Sequence, residues 1–78
     1  GKLEESLKAQ YDLTELNKQL GLDDDGYNYE EIGECLLELG KADEAKPYFA
    51  KAYELLSKER WLASNEKERL ERLKKLGE

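Results

Sequence analysis

Seventy-eight residues suffice for one small domain and are too few for a large buried core. Thirteen basic against nineteen acidic residues leave a net charge of −6, a field that repels phosphate backbones and anionic lipid, so neither nucleic acid nor a membrane is expected as a partner. No apolar run approaches the roughly 20 residues that span a bilayer, and Gly1-Lys2-Leu3 opens no signal-peptide stretch.

Val, Met and His are absent, while Glu, Lys, Leu and Ala fill most of the chain. That balance favours helix over sheet, and the expected class is all-α. Leu3, Leu7, Tyr11, Leu13, Leu16 and Leu20 recur at near-helical spacing, and Gly21 follows them. They predict helix one over 3–20, with Leu7, Tyr11, Leu16 and Leu20 as its buried stripe.

The run Leu22-Asp23-Asp24-Asp25-Gly26 reads as a solvated loop, because adjacent carboxylates repel one another inside a helix. A calcium loop needs alternating oxygen ligands, a central Gly and a closing Glu. Here the aspartates are consecutive, and the twelfth place counted from Asp23 is Glu34, inside the next helix, so no metal is expected. Asn28, with Glu31 three residues on, reads as a capping box for helix two over 29–39, closed by Gly40.

Asp43 is the expected cap of helix three, which runs to Ser57 with Pro47 in its first turn. Residues 58–64 either continue that helix or turn around Trp61, the expected anchor between the last two helices. Asn65 and Glu68 form a second capping-box pattern, opening a helix with Leu70, Leu73 and Leu76 that closes at Gly77. The charges of this last helix alternate in sign and shift from acidic to basic along it, as the helix dipole favours. Four antiparallel helices in one domain over 1–78 are the expected architecture.

Tyr29, Ile32-Gly33 and Leu36, followed by Ala45, Phe49 and Ala52, stand at the spacings of a named motif. Over about 26–59 the chain resembles one tetratricopeptide repeat. Pro47 within the second helix and Ser57 at its end depart from the pattern. The resemblance implies a helix-turn-helix pair in which Gly33 meets Ala45 at a close crossing. Helix one (3–20) and the 60–78 helix would then cap the open faces. It also implies a peptide-binding concave face, which on this chain would be Tyr27, Glu30, Glu34, Leu37 and Glu38. Relatives that grip a carboxylate place Lys and Asn where Glu30 and Glu34 stand, so a basic or mixed ligand would suit this face better.

Little here can do chemistry. Cys35 has no His to activate it and no second Cys for a metal or a disulfide, so it reads as a packing residue in a reducing, cytoplasmic or recombinant setting. No enzyme activity, cofactor or metal is expected, and the chain is expected to be a soluble monomer. Two functional readings follow. The missing residue types, the 41% charged content and the capped helices favour an engineered helical scaffold built on such repeat segments, with no assignable ligand. The free Cys35 and the irregular 23–29 and 61–65 stretches favour a natural protein-interaction module that binds a peptide on its acidic concave face.

Overall fold

A computed structural model describes residues 2–22 and 25–78. Five helices follow one another: α1 (Lys2–Gln19), α2 (Gly26–Glu38), α3 (Ala42–Leu56), α4 (Arg60–Asn65) and α5 (Lys67–Leu76). No strand occurs among the described residues, so the chain is all-α. Of the acidic trio, Asp23 and Asp24 lie outside the described residues.

Several helix ends differ from expectation, each for a local reason. α2 begins at Gly26 because the Asp25 side chain accepts a hydrogen bond from the Tyr27 N–H at 3.0 Å and takes the capping role. Asn28 is therefore inside the helix, and it is buried. Lys41, not Asp43, precedes α3, and no side-chain hydrogen bond caps that end. Asp43 falls in the first turn, where its charge suits the helix dipole. Pro47 lies in the second turn, exposed, and has no N–H to offer the Asp43 carbonyl.

Residues 58–64 neither continue α3 nor form a simple turn. The short helix α4 occupies most of that stretch, so the described residues form five helices where four were expected. Asn65 ends α4, donating from Nδ2 to the Trp61 carbonyl at 2.9 Å, and Glu66 takes the place before α5. Gly21 (φ 70°) and Gly40 (φ 78°) close α1 and α2 in the left-handed conformation that glycine adopts without strain. The Leu22 N–H reaches the Asn17 carbonyl at 2.9 Å and the Lys41 N–H reaches Leu36 at 2.8 Å, which satisfies carbonyls the helix ends would leave open.

The core joins α2, α3 and α5. Ile32, Leu36, Ala45, Phe49, Ala52, Leu56, Leu70 and Leu73 are buried together, with Leu62 of α4 filling the end. At the crossing Gly33 lies against the Phe49 ring, and an added Cβ would stand 2.9 Å from Phe49 Cε1. The bare α2 backbone thus forms the seat of the largest fully buried side chain. At the next residue along α3, Gly77 lies so close to Ala50 that an added Cβ would stand 2.7 Å from its backbone nitrogen.

α1 joins this core weakly. None of its residues is buried, and Leu7 alone packs against the core cluster. Tyr11, Leu16 and Leu20, expected inside, are 39%, 48% and 62% exposed. Trp61, the expected anchor, is 63% exposed, because α4 turns Leu62 inward instead. Among the described residues, no helix is long and apolar enough to cross a membrane.

The Gly33–Phe49 contact generates a direct test. Gly33→Leu should destabilise the fold by about 1–3 kcal/mol through overpacking. Urea melts should show that loss shrinking when the same change is made in a Phe49→Ala background, where the ring no longer fills the space.

Candidate functional site

α2 is the helix on which the expected site residues stand, and its row Tyr27, Glu31 and Glu38 follows one side of the helix. On one flank of that row, α2 meets α5 through charge. Arg69 grips Glu30 through a two-pronged hydrogen-bonded pair, Nε to Oε2 at 3.0 Å and Nη2 to Oε1. Arg72 grips Glu34 the same way, with Nη2 at 3.2 Å from Oε2. Two glutamates four apart on one helix thus face two arginines three apart on another, each pair one turn along its own axis.

The two pairs differ in weight. The Glu30 side chain is only 10% exposed and that of Arg69 35%, so the carboxylate is largely desolvated and depends on its partner. The Glu34 and Arg72 side chains are 30% and 50% exposed, and that pair is worth at most about 1 kcal/mol. Arg69 also lies 5.0 Å above the centre of the Tyr27 ring, adding an attraction of about 0.5–1 kcal/mol. The neighbouring glutamates push both guanidinium pKa values up, through the hydrogen bonds first.

On the other flank, α2 meets α1 through an amide. The buried Asn28 donates from Nδ2 to the Gln10 carbonyl at 3.0 Å and to Gln10 Oε1 at 2.7 Å. The Thr14 hydroxyl, 3.0 Å from the Gln10 carbonyl, donates to Asn28 Oδ1. Every polar atom of the Asn28 side chain is satisfied, so the join is specific although it is not apolar. Beside it, Tyr11 of α1 packs on Tyr48 of α3 with ring centres 6.1 Å apart, and Tyr48 stacks on Tyr29 at 6.2 Å. Burial, followed by the Tyr48 hydroxyl and the nearby charge of Glu44, pushes the Tyr11 pKa up to about 12.

Between these flanks lies a cleft of about 490 Å³. Leu3 and Ser6 of α1 form one side, Glu30, Glu31, Glu34, Cys35 and Glu38 of α2 the floor, and Arg69 and Arg72 the far side. Four carboxylates and two guanidiniums line it, so its balance is acidic. Of the expected face, Glu30, Glu34 and Glu38 lie in the cleft, the first two already occupied by α5. Tyr27 stands one turn before Glu31, under Arg69, while Leu37 packs against the core instead. Sequence reasoning missed Glu31, whose i+4 spacing from Tyr27 was the available signal. Arg69 and Arg72 carried none, because the pairing crosses from one helix to another far along the chain.

Cys35 is buried at the cleft floor, and burial, with Glu31, Glu38 and Glu34 around it, pushes its thiol pKa up. That environment disfavours the thiolate, the form that would attack a substrate or bind a metal. Among the described residues, no three carboxylate or thiol groups converge to hold a metal ion. No known family's sequence pattern matches the chain, and no curated protein or solved structure is significantly similar to it.

Two outcomes follow from this geometry. Glu30→Gln and Arg69→Met should each cost about 2 kcal/mol, and the double variant clearly less than the sum; a double-mutant cycle by chemical denaturation checks the coupling. For Tyr11, a folded-state pKa above its ordinary value of 10 means that the neutral phenol is the form that docks. Its contribution is therefore complete below about pH 10 and is lost as pH rises toward 12. The denaturation midpoint of the parent should fall through that window more steeply than that of Tyr11→Phe, in step with phenolate absorbance.

Proposed function

We propose that the chain is a tetratricopeptide-like protein-interaction module, without catalytic chemistry, that holds a partner segment in the cleft on α2. In this reading α2 and α3 are the two antiparallel helices of one repeat, and α1 and α5 are the helices that flank it. The placement of Ile32, Leu36, Ala45, Phe49 and Ala52 in one core agrees with the roles that their spacing implies. Gly33 supplies a close approach, with the Phe49 ring seated on it.

The observation that carries the reading is the open cleft along α2, bounded by α1 and α5 and lined by polar groups. Such a surface suits reversible capture of a segment. The raised thiol pKa of Cys35 and the absence of His from the sequence count against covalent or acid–base chemistry there. A scaffold without any partner is supported less well. An idealised scaffold buries its apolar residues, whereas α1 leaves Leu13, Leu16 and Leu20 exposed and α4 leaves Trp61 so.

An amide-resolved NMR titration with a panel of short peptides, basic, acidic and apolar, tests the reading. A ligand should shift the Glu31, Cys35 and Glu38 amides together while those of α4 stay in place. Shifts scattered over the surface, or none from any peptide, would leave the chain without the proposed role.

A further inference from the structure

The helices of this chain are not held equally. Ile32, Phe49, Ala52 and Leu73, from α2, α3 and α5, are at most 1% exposed and belong to one core. α1 contributes no buried residue, and Leu7 is its single packing contact with that core. Its other ties are the hydrogen bonds of Gln10 and Thr14 to the Asn28 amide and the contact of Tyr11 with Tyr48. Water can replace such bonds: an Asn28 amide that leaves α1 finds new partners at once, whereas a core that opens exposes apolar surface. Gly21, at φ 70°, ends α1, and no continuous helical ladder joins it to α2.

What α1 covers follows from its register. It runs antiparallel to α2, with Gln10 against Asn28. Seven residues back along α1, Leu3 lines the same cleft as Cys35, which stands seven residues on along α2. Asn28 and Cys35 share one side of α2, since seven residues are close to two helical turns. The Cys35 thiol is buried there, with Leu3 and Ser6 of α1 forming the neighbouring wall.

We infer that α1 is a latch: it undocks as one unit while α2, α3 and α5 stay folded, uncovering Cys35 and removing the Leu3 and Ser6 wall of the cleft. Closed, α1 completes the cleft; open, it bares α2 from Asn28 to Cys35. That the latch regulates capture of a partner rests on the interaction reading above; the opening itself does not. A lone helix of 18 residues has little support in water, so α1 loses its amide protection when it undocks. Opening of this kind starts at the element with the fewest buried contacts.

Hydrogen exchange of the whole chain, followed amide by amide by NMR, tests the latch. The amides of Tyr11 to Glu15 should exchange together, about tenfold or more faster than those of Ile32, Leu36, Phe49 and Ala52. Labelling of Cys35 by an aromatic disulfide reagent should keep pace with the α1 amides, not with the core. Two variants separate the units. Leu7→Ala, which removes the apolar tie of α1, should speed α1 exchange and Cys35 labelling by one common factor of about tenfold. Ala52→Gly weakens the core equally whether α1 is docked or not. It should speed core exchange about fivefold and leave the α1 amides and Cys35 labelling unchanged. Equal exchange of α1 and core, or an Ala52→Gly effect that reaches α1, would make the molecule one cooperative unit and overturn the inference. Exchange graded inward from Lys2, with Cys35 labelled at the rate of the core, would reduce the opening to a fraying end and overturn it too. These rates are read on the chain alone. A cleft that binds no peptide would therefore defeat the interaction reading and leave the latch standing.

Discussion

The seat of the Phe49 ring against the bare backbone at Gly33 governs how the rest of the molecule is arranged. In so small a chain, one fully buried aromatic is a large share of the apolar surface that folding removes from water. Because Gly33 has no side chain, α2 and α3 approach closely enough to enclose that ring. Ile32 and Leu36 on one helix and Ala45 and Ala52 on the other complete the enclosure. α5 then lays Leu70 and Leu73 on the same surface, and α4 places Leu62 at its end. Disturbing the seat would disturb every apolar contact that holds the helices in place.

The two flanks of α2 are joined by different physics, and that difference shapes the cleft. Toward α5 the join combines the shared core with two charged forks. Toward α1 it relies on an amide network, while α1 adds one core leucine and a tyrosine contact with α3. Hydrogen bonds fix direction well but add modest net stability, since water offers the unfolded chain similar partners. α1 is thus positioned without being deeply docked. The outer side of α5 shows the opposite pattern, exposed charges of both signs that need no partner.

The acidic row on α2 has two uses at once. Glu30 and Glu34 line the cleft already paired with Arg69 and Arg72, and so fasten α5. Glu31 and Glu38 keep their charge toward solvent. One helix therefore fixes its neighbour with one row of carboxylates and presents the adjacent row outward, a division that the side-chain period of a helix makes available.

By itself the sequence determined the class of fold, the glycine stops and most of the core. Those follow from local spacing and composition: leucines at helical intervals, Gly21 and Gly40 where the chain reverses, and small residues where α2 and α3 meet. Helix starts were harder to read, because Asp25, Asn28 and Asn65 are all plausible caps and only the surrounding contacts choose among them. Which apolar residues go inside was decided by tertiary structure. Leu16, Leu20 and Trp61 have the right chemistry for a core, yet each helix has one orientation, and Asn28 and Leu62 set it for α1 and α4. The site was likewise beyond sequence reasoning. Whether a glutamate is a free ligand-binding group or one half of a fork depends on an arginine 39 residues away, a distance that only folding closes.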